Sequence, residues 1–110
     1  MTDVVAARAA IALISSKWAV PVLEALEHGP RSYNELSRAV DLDHKSLDRT
    51  LRRLRRHILV ERGACRLGAD PELRVRYRLT PRARGMLNVI DALGDWWRSE
   101  ISKTCPPGIG

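Results

Sequence analysis

Residues 43–77 read DHKSLDRTLRRLRRHILVERGACRLGADPELRVRY. Leu47, Leu51, Leu54 and Ile58 fall at steps of four, three and four. That spacing predicts one apolar stripe on a helix of about residues 44–57, buried along its length. Lys45, Arg49, Arg52 and Arg56 repeat the same steps on the opposite side, so they line up along an outer face. Asp43 stands at the N-cap position. Beyond the helix, Leu59 to about Arg66 predicts a strand, and Gly68 and Pro71 punctuate a turn. Arg74-Val75-Arg76-Tyr77-Arg78-Leu79 alternates strictly. The alternation predicts a second strand with Val75, Tyr77 and Leu79 inward and the three arginines outward.

Charge follows the same stretch. Residues 44–84 hold thirteen Lys/Arg against four Asp/Glu, whereas the whole chain carries +6. The excess is concentrated, so the remainder of the chain is mildly acidic. Localised positive charge points to a locally negative partner, and a polyphosphate backbone is the strongest candidate.

Working outward, Tyr33-Asn34-Glu35 follows Ser32 in the form of a capping box for a short helix over 32–39. Asp41-Leu42-Asp43 makes a tight turn into the basic helix. Two helices joined so closely have the form of a helix-turn-helix. Before them, Ser15-Ser16 offers an N-cap for a helix over 17–28, with Trp18, Leu23 and Leu26 inward. Pro21 lies past its first turn, and His28-Gly29-Pro30 ends it. Residues 3–14 read as a helix apolar almost all round. Such a helix needs cover on every side, which a small domain lacks, so a second copy of the chain is expected to supply it. After the hairpin, Thr80-Pro81 starts a last helix to about Ser102, with Met86, Leu87, Ile90, Leu93 and Trp97 on one face and Trp96 widening it.

At 110 residues with 45% apolar and 29% charged content, the chain suits one folded domain. It is expected to span residues 1–104, with 105–110 as a disordered tail. The apolar N-terminal run is too short to span a bilayer and lacks a basic leader, so a cytoplasmic location with no membrane partner is expected. Cys65 and Cys105 form no CxxC and have no histidine at ligand spacing. Cys65 between Arg62 and Arg66 suits a strand-filling residue better than a redox sensor. No glycine-rich phosphate loop, paired carboxylates or nucleophile beside a base is legible, so neither an enzyme nor a cofactor is expected.

Helix, helix, helix-turn-helix, hairpin, helix is the order of a winged helix: mainly α with a small β-hairpin. The chain here resembles the HxlR family of bacterial transcriptional regulators, relatives of the MarR group. The resemblance rests on Ser16-Lys17-Trp18 with Pro21, His28-Gly29-Pro30, Tyr33 with Glu35-Leu36, Leu59-Val60-Glu61-Arg62, Arg74 through Pro81, and Gly85. It covers about residues 14–97. It implies a homodimer whose first and last helices form the interface, with recognition helices in successive major grooves and wings on the flanking backbone. The residues depart from the family at Ser32, often Arg; at Asp48, often Thr or Ser; and at Arg76, often Glu. No cysteine precedes the first helix, where redox-sensing relatives carry one.

The DNA-contacting set expected is Arg31, Ser32, Tyr33, His44, Lys45, Ser46, Asp48, Arg49, Arg52, Arg56, Arg66, Arg74 and Arg76. Lys45 or Arg49 suits guanine, while Asp48 suits either cytosine N4 or the orienting of Arg52. Arg52 and Arg56 suit phosphate, and Arg66 and Arg74 suit backbone or minor groove. The dimer set is Val5, Ala9 and Leu13 with Ile90, Leu93 and Trp97. The partner expected is a pseudo-palindromic double-stranded operator, with a small-molecule effector left open. The alternative is a winged-helix protein–protein module that offers its basic face to an acidic partner.

Overall fold

Caps and breakers set the element order of the computed structural model, which describes residues 3–66, 68 and 72–104. The order is α1 Val4–Ile14, α2 Ala19–Ala25, α3 Tyr33–Val40, α4 His44–Arg56, β1 Val60–Cys65, β2 Arg74–Leu79 and α5 Pro81–Thr104. Two expectations, the disordered tail at 105–110 and the role of Cys105, lie outside the described residues.

The capping box of α3 is complete. The Ser32 hydroxyl accepts from the Glu35 N–H at 3.2 Å, and the Glu35 carboxylate accepts from the Ser32 N–H at 3.0 Å. Asp43 accepts from the Ser46 N–H at 3.3 Å and starts α4. Between the two helices Asp41 adopts φ 51°, a left-handed turn that drops Leu42 into the core. Thr80 caps α5 by accepting from the Ala83 N–H at 3.2 Å, with Pro81 at the first helical position.

Around α2 the structure departs from expectation. The helix is shorter than 17–28, and Trp18 at its N-cap makes no side-chain cap. Ser15 and Ser16 instead close α1, their hydroxyls donating to the Ala12 and Leu13 carbonyls at 3.2 and 2.7 Å. Because the helix starts at Ala19, Pro21 falls within the first turn, where an amide has no intrahelical partner to lose.

Leu47, Leu51 and Leu54 of α4 pack with Val22, Leu23, Leu26, Leu36, Leu42, Leu59 and Leu79 into one core. Each fully buried leucine contributes roughly 1.5–3 kcal/mol of apolar transfer. Ile58, expected to extend the stripe, is 65% exposed and has φ 60°. The reason is the helix exit. The Leu59 N–H donates to the Leu54 carbonyl at 2.9 Å and the Ile58 N–H to the Arg55 carbonyl at 3.1 Å. This Schellman pair needs a left-handed residue after the C-cap, usually glycine, and its hydrophobic contact comes from the residue beyond. Leu59 therefore occupies the core in place of Ile58.

β1 and β2 pair antiparallel with Val60 opposite Leu79 and Cys65 opposite Arg74. Arg31 adds an antiparallel bridge to Tyr77 on the other edge of β2. Alternation holds at Leu79 and partly at Tyr77, but Val75 is 47% exposed and Arg76 only 6% exposed. Both departures are corrections to the expected inward and outward sets. Val75 lies toward the hairpin tip, past the reach of the core.

The two terminal helices project. Only Leu13 of α1 is buried, and from Asp91 to Ser99 every residue of α5 is exposed. The radius of gyration is 17.2 Å, and the longest extent is 61 Å against 30 and 26 Å. A sphere-like chain of this length has a radius of about 13 Å. No single helix among the described residues is long and apolar enough to cross a membrane.

Candidate nucleic-acid interface

α4 carries the site. Its apolar stripe is fixed against the core, so its opposite side must face solvent. Lys45, Arg49, Arg52 and Arg56 are exposed there, as are Arg53 and Arg55 on the flanks. Among the described residues none of these six forms an ion pair; the pairs present include Arg74 with Glu72, Arg78 with Glu61 and Arg98 with Asp95. Asp48 therefore does not hold Arg52 in a salt bridge. An open trough of about 500 Å³ runs between α4 and β1, lined by Arg52, Arg55, Arg56 and Arg62 with Glu61 as its acid. Positive potential thus continues from the helix onto the base of the hairpin.

The start of α3 braces the other end of α4. The Tyr33 hydroxyl donates to the His44 carbonyl at 3.1 Å, and the two rings meet edge to face at 5.4 Å. Partial burial, and then the Asp48 carboxylate beside it, push the Tyr33 phenol up to about 12. The hydroxyl therefore stays protonated and keeps donating. Asp48 thus lies on the α3 side of the ridge. Ser46 gives its N–H to the Asp43 cap. Hydrogen bonds from the Ser32 amide and hydroxyl, and then the charges of Arg76 and Arg31, hold the Glu35 carboxyl below its usual range.

Two of the expected contact residues, Arg31 and Arg76, make bonds within the fold, as do Arg82 and Arg84 outside that set. Arg31 is half-buried; its Nε donates to the Ala25 carbonyl at 2.6 Å, and its backbone pairs with Tyr77 at 3.0 and 2.7 Å. Arg76, expected on the outer face, is turned in, and its Nη1 donates to the Cys65 carbonyl at 2.6 Å. A side chain so enclosed is not offered to a partner, and it leaves the expected contact set. Arg82 and Arg84 donate to the carbonyls of His57 and Glu27 at 3.1 and 3.4 Å. Arg66 and Arg74 remain exposed on either side of the hairpin tip, Arg74 beside Glu72 at 3.3 Å.

On the dimer set the placement is mixed. Val5 is 80% exposed, Leu93 50% and Trp97 59%, whereas Leu13 at 5% belongs to the chain's own core and Ile90 packs partly against it. The expected contact set left out Lys17, Arg53, Arg55 and Arg62, although the last three belong to the basic stretch of residues 44–84. Arg53 and Arg55 were legible, since each sits about a hundred degrees from its neighbour on the ridge. Lys17 was not, because only tertiary packing brings it to α4.

The geometry is a braced basic helix, a turn, and a short antiparallel wing. No curated protein sequence matches the chain. Solved structures do match its fold. A proposed transcriptional regulator of the MarR family from Enterococcus faecalis V583 superposes with TM-score 0.78 at 24% identity, over 96% of this chain and 94% of that one. The reduced form of the transcriptional regulator YodB from B. subtilis gives 0.72 at 24% identity, over 92% and 93%. The proposed transcriptional regulator ytfH from Salmonella typhimurium gives 0.63 at 25% identity, over 90% and 87%. The model of the HxlR-like helix-turn-helix matches residues 13–105, and the chain belongs to that family of winged-helix, DNA-binding transcriptional regulators.

Proposed function

We propose that the protein is a homodimeric regulator that reads a pseudo-palindromic duplex, with α4 in the major groove and the hairpin on the flanking backbone. The observation that carries this reading is the α4 ridge: exposed cations aligned on a rigid, capped helix, none of them paired with an acid among the described residues. Lys45 and Arg49 lie in the half of the helix that reaches base edges in such frames, and Arg52 and Arg56 follow toward phosphate. Arg66 and Arg74 reach the backbone beside the groove.

The dimer is supported by the uncovered apolar surface of the projecting helices. Val5, Val89, Leu93, Trp96 and Trp97 are each at least half exposed, and large apolar side chains left open on projecting helices favour a partner surface. A two-fold pairing there sets the two reading helices about 34–36 Å apart, one turn of DNA. The regulator works in the cytoplasm, where the genome is.

Duplexes selected from a random pool by the purified protein test the reading. The recovered site should be a pseudo-palindrome with half-sites one helical turn apart, and binding should weaken steeply between 50 and 200 mM salt. Retention of an acidic protein but of no duplex at low salt would replace this reading with the protein–protein module. For the dimer, Trp97→Asp should shift the sedimenting species from two chains to one; a monomeric wild type rejects it.

A further inference from the structure

A second cationic feature lies on the opposite flank of α4 from Tyr33. Lys17 and Trp18, just ahead of α2, meet Arg49, Thr50 and Arg53 around a cavity of about 180 Å³ that no Asp or Glu among the described residues lines. The Lys17 ammonium sits over the Trp18 ring at 4.9 Å, a cation–π contact that restrains it. The hydroxyls at the cavity are committed elsewhere: Ser16 donates to the Leu13 carbonyl at 2.7 Å and Thr50 to the Ser46 carbonyl at 2.9 Å. The charged donors left for a guest are one ammonium and two guanidinium groups. Three like charges around one recess repel one another unless an anion joins them. The apolar floor, Trp18 with buried Ala19 and Leu54, strengthens that attraction by excluding water.

We propose that this recess is a seat for a backbone phosphate of the bound duplex. The inference rests on the DNA reading and extends it. Arg49 belongs both to the outer ridge and to the recess, so the two surfaces are continuous. A helix lying in the major groove has a phosphate strand on each side. The Tyr33 flank meets one strand, and the Lys17–Arg53 flank meets the other. The volume argues the same way: 180 Å³ is below the range of about 300–1,000 Å³ typical of sites for larger ligands, and suits a single phosphate group. Lys17 and Arg53 are thereby assigned as positioning contacts that grip all sequences alike.

The double variant Lys17→Gln/Arg53→Gln tests this, with Arg49 left intact and both changed side chains exposed, so folding is not at risk. Fluorescence anisotropy from 50 to 200 mM salt would follow the selected site and a random duplex. The log–log salt slope should become shallower by about 1.8, so affinity changes about ten-fold less across that range. Both duplexes should lose affinity by the same factor. Arg98→Gln, which removes a charge on α5, should leave the slope unchanged. An unaltered slope in the double variant, a loss confined to the selected site, or an equal effect of Arg98→Gln overturns the seat while leaving the DNA reading intact. A wild type that binds neither duplex at 50 mM salt overturns both.

Discussion

α4 and the hairpin are almost equally rich in arginine, yet the two sets have opposite fates. On α4 the cations stand in water, with no acid among the described residues paired to them, and the leucines behind them carry the stability. On the hairpin and its neighbours the arginines are mostly fastened: Arg76 to the Cys65 carbonyl, Arg78 to Glu61 at 2.9 Å, Arg31 to Ala25, Arg82 to His57. The guanidinium fork suits this second use, because it closes several carbonyls at helix and strand ends in one fixed plane. Positive charge in this chain is thus divided between a surface that waits for a partner and struts that close the two strands of the hairpin on each other and tie down helix ends.

The sharpest way to break that contrast is Arg76→Ala. Loss of a buried, hydrogen-bonded cation beside Glu35 should cost about 2–3 kcal/mol in urea unfolding. Arg52→Ala, on the ridge, should stay within about 0.5 kcal/mol. If the two variants melt alike, the division into struts and waiting surface is wrong.

On the binding side the order reverses. Arg49→Ala should weaken the selected duplex by about 1–3 kcal/mol and relax discrimination at one base position, with no change in melting temperature. Arg74→Ala should weaken every duplex equally and flatten the salt slope by about 1.8, one phosphate for each protomer of the dimer. Matching losses for both on selected and random DNA would remove the distinction between base reading and backbone holding.

Ile58 sits where the two regions join, in a left-handed conformation that β-branched residues resist. Ile58→Gly should raise stability by about 1 kcal/mol, since its side chain is mostly in solvent and the strain is relieved. A drop in melting temperature would show that Ile58 is held there by packing the monomer does not reveal.

The smallest effect concerns pH. Glu35 and Asp43 both have carboxyls lowered by hydrogen bonds at helix starts, from Ser32 and from Ser46 respectively. A carboxyl depressed in the folded state stabilises above its unfolded value and loses that contribution as pH falls through the folded one. Melting temperature should therefore decline below about pH 4, and Glu35→Gln should blunt the decline. An identical acid profile in that variant would separate the capping box from the acid response.

Much of this was legible because it is local. The Ser32–Glu35 box, the Asp43 cap, the 3.6-residue leucine stripe and Thr80-Pro81 each act over three or four residues, and the helices start where those signals stand. The ridge Lys45, Arg49, Arg52 and Arg56 followed from the same periodicity. Ser15, Ser16 and Pro21 misled because one short polar pair can close the helix behind it or open the one ahead, and only backbone geometry chooses. At Ile58 the apolar period ran onto the residue at which the chain turns left and leaves the helix.

The chain's order of residues by itself determined the helices, the hairpin, the helix-turn-helix frame and the cationic side of α4, since helical period and end capping are properties of neighbours along the backbone. Tertiary structure alone decided which arginines of the hairpin stay in solvent. A period of two names two faces of a strand but not which is covered, so Arg76 became enclosed and Val75 uncovered. It also decided that Lys17, thirty-two positions before Arg49, would share a recess with it, because long-range packing answers to shape and burial rather than to spacing.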